Sequence, residues 1–305
     1  VGEMSSTTLD NCIRYSNPEE KELAMCFNFH HLKVDYKDGQ KWELANPDYK
    51  ELKNLFRTWQ EGAQEGNGWN ALFWCNHDQP RILSRFGNEG KYWKESAKML
   101  AGAIHMMQGT PYIYQGEELG MTNAHFTSID QYRDVESLNY YEILLSEGKT
   151  KEEAIKILAE RSRDNSRTPM QWSDKENAGF TTGTPWIQTE DNYRQINVEV
   201  EEKDEDSILN FYRKLITLRK EMPVISKGKI KFIEEENEGV LAYTRTLDDQ
   251  KLVVFCNLKE EVNEVAYAEE KAEKLIGNYP GEEKLDIQNG KLKLRAYEFV
   301  CYLIG

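Results

Sequence analysis

The apolar positions fall into short runs that stop abruptly at polar residues. Trp69 to Arg81, WNALFWCNHDQPR, is the plainest case. Asn70 to Cys75 is mostly apolar and fits a strand buried on both faces, as in a parallel sheet. It empties into Asn76, His77, Asp78 and Gln79, and Pro80 ends the extended stretch. The same form recurs at Val1-Gly2 before Glu3, at Leu23 to Phe29 before His30 and His31, and at Thr110 to Tyr114 before Glu117 and Glu118. Between these runs the spacing turns helical. Leu52, Leu55, Phe56 and Trp59 share one face of a helix expected to start at Asn46-Pro47, with Asn46 as its cap. Ala97, Leu100, Ala101 and Ile104 share a face within Tyr92 to Gln108. Strand and helix alternating at this spacing predict an α/β fold. Its parallel strands would carry their polar tips on the working face of a (β/α) barrel. A plain turn, with Asp78 capping the next element, stays open at this point.

Residues 121–206 form a long insertion before the next strongly helical segment. Within it Lys151 to Glu160 reads as a helix, and Arg161 to Trp172 is a dense polar stretch of the kind that builds lids. Leu209, Tyr212, Leu215, Ile216 and Arg219 describe a helix that closes the larger unit, and Met222-Pro223 marks its end. Beyond it the pattern changes to short strands at Val240 to Thr244, Leu252 to Leu258 and Ala296 to Leu303. Turns are expected at Asp248-Asp249 and Asn289-Gly290, and a solvated acidic edge at Glu234-Glu235-Glu236. The expected division is residues 1–220 as an α/β unit carrying the insertion and 221–305 as a small antiparallel β domain.

The formal charge of −14 argues against nucleic acid and anionic membrane as partners, yet leaves room for a local basic pocket. No apolar run approaches a membrane span. Five cysteines, an odd number, read as buried thiols of a reducing, cytoplasmic compartment, and their spacing suits no metal. No cofactor is expected. The chain opens VGEM, which looks like the tail of a strand, so a segment upstream is expected.

Glycosyl transfer needs a proton donor for the leaving oxygen and a carboxylate for the oxocarbenium-like centre. Glu3 and Asp78 lie at the tips of two strands on one expected face. Glu3, the longer arm, suits the acid, and His77 can hydrogen-bond a sugar hydroxyl. His30, His31, Lys33 and Lys41 gather basic groups near one strand tip of an acidic chain.

Four stretches carry a resemblance. VGEM at 1–4, NHDQPR at 76–81, GTPYIYQGEELGM at 109–121 and SRDNSRTPMQW at 162–172 resemble glycoside hydrolase family 13, the α-amylase clan, in its oligo-1,6-glucosidase branch. FNFHHLKVDY at 27–36 is similar to members that hydrolyse a phosphorylated disaccharide, trehalose 6-phosphate, to glucose and glucose 6-phosphate. The resemblance implies the second half of a (β/α)8 TIM barrel, strands five to eight, followed by the antiparallel β domain. It implies a retaining mechanism with Glu3 as acid/base and Asp78 as transition-state stabiliser. His77 and Arg167 would bind the sugar, while His30, His31, Lys33 and Lys41 would bind phosphate. Arg163 with Asp164 would be structural. It also implies that the nucleophile and first four strands belong to an absent N-terminal half of the same protein, so residues 1–305 alone should be inactive. Two rivals remain: an enzyme for neutral isomalto- or malto-oligosaccharides, and a non-catalytic, transporter-associated member of the clan.

Overall fold

The computed structural model describes residues 1–233, 236–267, 272–281, 287–288 and 290–304. Four two-residue parallel strands, β1 (Gly2–Glu3), β2 (Cys26–Phe27), β5 (Ala71–Leu72) and β6 (Thr110–Pro111), alternate with helices α1 (Leu9–Ser16), α2 (Tyr49–Glu65), α3 (Ile82–Phe86) and α4 (Trp93–His105). β1 pairs with β2 and β5 with β6, all parallel, and a parallel bridge from Cys26 to Asn70 joins the two pairs into one array in sequence order. The ladders are shorter than the apolar runs. Leu23 to Phe29 pairs only at Cys26 and Phe27, because the chain coils at His30–Lys33 into a 3-10 turn. A hairpin of β3 (Tyr36–Lys37) and β4 (Gln40–Leu44) follows that turn. The second helix begins later than its Asn-Pro signal. Asp48 is the cap, its side chain accepting from Glu51 N at 2.9 Å, and Pro47 stays outside.

The insertion is ordered. It holds α5 (Val135–Ser146), α6 (Lys151–Arg161) and α7 (Val198–Glu201), and its own core unites Trp42, Phe126, Tyr141, Leu144 and Leu158. Next come α8 (Ile208–Glu221) and α9 (Pro223–Lys227).

The remaining strands are β7 (Lys229–Ile233), β8 (Val240–Leu247), β9 (Gln250–Asn257), β10 (Asn263–Ala266), β11 (Glu273–Gly277), β12 (Ile287–Gln288), β13 (Lys291–Leu294) and β14 (Phe299–Ile304). They form a five-stranded antiparallel sheet ordered β11-β14-β9-β8-β7 and a three-stranded one ordered β10-β13-β12. Asp248-Asp249 makes the expected two-residue turn, with Leu247 paired to Gln250. Asn289, Glu234 and Glu235 lie outside the described residues. Alternation explains why both faces of the larger sheet are buried. Val240, Ala242, Val253 and Phe255 face the smaller sheet. Leu241, Tyr243, Val254 and Phe299 face the helices.

α4 is the element on which the two parts meet. Its residues from Ser96 to His105 are all buried. A helix leaves its last carbonyls without intrahelical donors, and burial makes that costly unless side chains supply them. Tyr243 Oη donates to Ala103 O at 2.6 Å, Arg245 Nη1 to Met106 O at 3.0 Å, and Arg219 Nη1 to His105 O at 2.7 Å. Gly102 lets the sheet approach, since a Cβ there would lie 2.5 Å from the fully buried Phe299 ring. Gly102→Ala should therefore destabilise the chain by about 1–3 kcal/mol, the usual range for overpacking. A lower midpoint in urea unfolding checks it.

Candidate active site

Register decides which way Glu3 points. Paired residues of a parallel ladder share a face, and successive residues alternate. Gly2 pairs with Cys26, whose side chain joins Cys12 and Trp59 on the helix side. Glu3 pairs with Phe27, whose ring meets Phe73 at 5.0 Å and Tyr112 at 4.6 Å on the other face. Glu3 thus stands exposed at the carboxyl end of β1, on the face away from the helices.

Asp78 lies in the turn beyond β5, two strands from Glu3 in the same array. The Asn76 side chain accepts from Asp78 N at 2.8 Å and shapes that turn. Two arginines meet the carboxylate: Arg167 Nη2 at 2.7 Å and Arg163 Nη1 at 3.4 Å. Arg167 also donates from Nε to His77 O at 2.8 Å and reaches Asp134 at 3.2 Å. Arg163 Nε donates at 2.7 Å to Glu136 Oε2, and Lys41 Nζ donates to the same oxygen at 2.7 Å. Three acids and three bases thus form one chain of contacts from Lys41 to Asp134. The His77 ring is largely exposed, with Nε2 3.8 Å from Asp78.

Several expected roles change here. Arg163 does not pair with Asp164. Asp164 is fully buried and accepts from the backbone N–H groups of Arg133 and Asp134 at 2.7 and 2.9 Å, so Arg163 is free to turn toward Glu136 and Asp78. Sequence reasoning missed Arg163, Asp134 and Glu136 as members of the cluster. The density of charge at 161–167 was the available signal for Arg163. Nothing local marks Glu136, which sits in the first turn of α5.

The basic residues do not form one group. His31 does not reach a surface pocket. The 3-10 turn rotates it inward, where Nε2 lies 2.8 Å from Phe73 O and the ring packs against Phe56 and Trp74. Burial pushes its pKa down to about 4, so it is neutral at pH 7. His30 stacks on Trp59 with centroids 5.0 Å apart, and its Nδ1 has no hydrogen-bond partner among the described residues. Burial and then the nearby Lys33 charge lower its pKa. Lys33 is exposed and, among the described residues, donates to Ser5 O at 3.2 Å, beside the end of β1. Lys41 is tied to Glu136, as above, and lies 4.6 Å from the Trp42 ring. Among the described residues no three His, Cys, Asp or Glu side chains gather as a metal site, and no helix is long and apolar enough to cross a membrane.

Strand tips carry acids, with an arginine pair on one of them, and the chain belongs to the α-amylase family. Residues 1–228 match the family model for the alpha amylase catalytic domain, and residues 240–300 match that for the alpha-amylase SusG C-terminal domain. Its relatives include trehalose-6-phosphate hydrolases of Bacillus subtilis strain 168 (52% identical over 99% of this chain and 54% of that protein) and Escherichia coli K12 (51% over 99% and 55%). An oligo-1,6-glucosidase of Bacillus cereus is 45% identical over 99% of this chain and 54% of its own length. The crystal structure of Bacillus licheniformis trehalose-6-phosphate hydrolase superposes with a TM-score of 0.94 at 52% identity, covering 99% of this chain and 55% of that one. The chain spans about half the length of the curated relatives it matches.

Proposed function

We propose that this chain supplies the acid/base and the transition-state-stabilising carboxylate of a retaining glycoside hydrolase that splits trehalose 6-phosphate into glucose and glucose 6-phosphate. The observation that carries this reading is Asp78, held by Arg167 and Arg163 at the carboxyl end of the same parallel array that ends in Glu3. Glu3 protonates the bridging oxygen while a second carboxylate attacks the anomeric carbon, and Glu3 then activates the water that releases glucose. Asp78 binds sugar hydroxyls and stabilises the cationic transition state, with its two arginines fixing the carboxylate's orientation. His77, on the exposed side of the turn, hydrogen-bonds the same ring. We assign the nucleophilic carboxylate and the remaining barrel strands to the part of the relatives that this chain does not span. On that assignment residues 1–305 make up the second half of a (β/α)8 barrel with its β domain. They should show no turnover alone, and the polypeptide with the matching other half should restore it.

The phosphorylated substrate is favoured by higher identity to trehalose-6-phosphate hydrolases than to the oligo-1,6-glucosidases, 51–52% against 45% for the B. cereus protein. We assign phosphate recognition to Lys33, with His30 beside it and His31 bracing the turn from behind; Lys41, tied to Glu136, supports the Asp78 cluster instead. A phosphomonoester carries about two negative charges at neutral pH, and charge-assisted donors suit it. Lys33, weakly engaged and exposed, should be the specific contact. In the polypeptide that carries the activity, Lys33→Ala should lower kcat/KM for trehalose 6-phosphate about tenfold and leave a neutral aryl α-glucoside nearly unchanged. Lys41→Ala should lower both, because it releases the Glu136 oxygen that also holds Arg163. Equal losses on both substrates for Lys33→Ala would show that the lysine only supports the fold, and no loss on either would favour the reading as a neutral oligosaccharide hydrolase.

A further inference from the structure

Behind the Asp78 turn lies a small, mostly apolar cavity of about 10 Å³, where Arg81, Glu117 and Tyr212 bring polar groups among aliphatic side chains such as Ile82, Leu83 and Leu100. Arg81 is 2% exposed and joins three loops. Its Nη1 donates to Gln115 O at 2.5 Å, its Nε donates to Asn165 O at 3.3 Å, and its backbone N–H donates to the Asn123 side chain at 2.9 Å. It therefore fixes both the loop that carries Asp78 and the loop that carries Arg163 and Arg167. Glu117 is buried as well, and its Oε1 accepts from Tyr212 Oη at 2.8 Å. Two buried polar atoms beside the cavity, Arg81 Nη2 and Glu117 Oε2, have no hydrogen-bond partner among the described residues.

We propose that Glu117 is a positioning residue for the Asp78 turn, held as the neutral carboxylic acid with a single water between it and Arg81. A cavity of this size suits one water, which accepts from Arg81 Nη2 and from the proton that the neutral acid carries on Glu117 Oε2, since Oε1 accepts from Tyr212. An ionised Glu117 would draw the Arg81 guanidinium toward itself and away from the Gln115 and Asn165 carbonyls. The neutral acid leaves the three-loop clasp in place. The surroundings agree. Burial pushes the Glu117 acid up to about 8; Tyr212 and Arg81 oppose this and Glu118 adds to it. Cys75, across the cavity, is pushed up to about 12 by burial and carries no charge near neutrality. Tyr212 is shifted upward by burial too.

The inference is tested without a catalytic assay, so its failure is separate from that of the proposed activity. An acid whose pKa is about 8 folded and about 4.3 unfolded favours folding most at low pH. That contribution drains away as pH rises between the two values. Glu117→Gln, which cannot ionise, should lack this loss, so its Tm relative to wild type should rise steadily from pH 5 to pH 8.5. The wild-type infrared spectrum at pH 7 should hold a carboxylic-acid carbonyl band that Glu117→Gln removes. Amide hydrogen exchange across residues 76–81 and 163–167 should be unchanged in Glu117→Gln at pH 7 and faster in Glu117→Ala. A Gln variant much less stable than wild type at pH 7, with no acid band lost, would overturn the proposal in favour of an ion pair. Unaltered exchange in Glu117→Ala would overturn the positioning role.

Discussion

Replacing Asp78 by Asn in the polypeptide that carries the activity should lower kcat/KM by about 10²–10³-fold, on neutral and phosphorylated glucosides alike. The substitution keeps the size of the side chain and removes its charge. Arg167 at 2.7 Å and Arg163 at 3.4 Å would then face the sugar without the carboxylate between them. Two guanidiniums repel the positive charge that develops at the anomeric carbon, so the barrier rises twice over, through lost stabilisation and through added repulsion. Removing one preorganised electrostatic partner costs that much in other active sites. The fold should survive. The Asp78 side chain is 34% exposed, and ion pairs this open contribute little to stability, typically 0–1 kcal/mol. Steady-state kinetics on both substrates, beside an unchanged thermal midpoint, check the prediction. An equal fall in Tm would show a structural role instead. The uniform loss also separates Asp78 from Lys33, whose effect should follow the phosphate.

The second large effect concerns stability. Asp35→Asn should cost the chain about 3–5 kcal/mol. Asp35 is buried between two arginines that are buried too. Arg85 donates from Nη2 at 2.6 Å and from Nε at 3.0 Å, and Arg161 binds the other side of the same carboxylate. Arg161 also donates to Asp35 O at 2.7 Å, and Arg85 to Leu32 O at 2.6 Å. Asparagine leaves one amide oxygen for two guanidiniums and places an uncompensated charge in the interior. Burial alone would raise the Asp35 pKa, but the two arginines outweigh it and the net shift is downward. A depressed carboxylate contributes stability that is complete above its unfolded pKa and lost as pH falls through the folded one. The wild-type advantage over Asp35→Asn should therefore shrink in strong acid and hold at neutral pH. Urea titrations of both chains at pH 3 and pH 7 measure it. The triad also anchors the carboxyl end of the turn that carries Lys33, through Leu32 O and Asp35 O, so the variant should loosen phosphate recognition before it unfolds.

Much of the α/β part was legible because a buried parallel strand is a local signal, an apolar run closed by polar residues. Asn70 to Cys75 and its Asp78 turn show this well. The extent of pairing was not legible. Leu23 to Phe29 has strand composition throughout, yet nothing in it reveals that His30–Lys33 coils and carries His31 inward. Contacts across long separations were the main loss. Glu136 meets Lys41 across 95 residues, and a lone Glu in a helix's first turn looks like any favourable partner of the helix dipole. Arg163 beside Asp164 suggested a pair, but adjacent residues point apart, and each found its partner on another element. The antiparallel sheet was easier, because hairpins such as the one at Asp248-Asp249 are short-range.

The carboxyl end of α4 has a consequence for how the chain is made. Arg245 meets Met106 O across 139 residues, and Tyr243 meets Ala103 O across 140. At synthesis rates of about 5–20 residues per second, the helix waits roughly 7–28 s for those side chains to emerge. Throughout that time the surface that will receive Leu241, Val254 and Phe299 is apolar and uncovered, and the Ala103 and Met106 carbonyls have water in place of those side chains. A ribosome that stalls between α4 and those strands therefore holds a nascent chain in which a helix destined for full burial is still bare. For this protein the strands that carry Leu241, Val254 and Phe299 complete the packing of α4, and the need for a chaperone is greatest just before they appear.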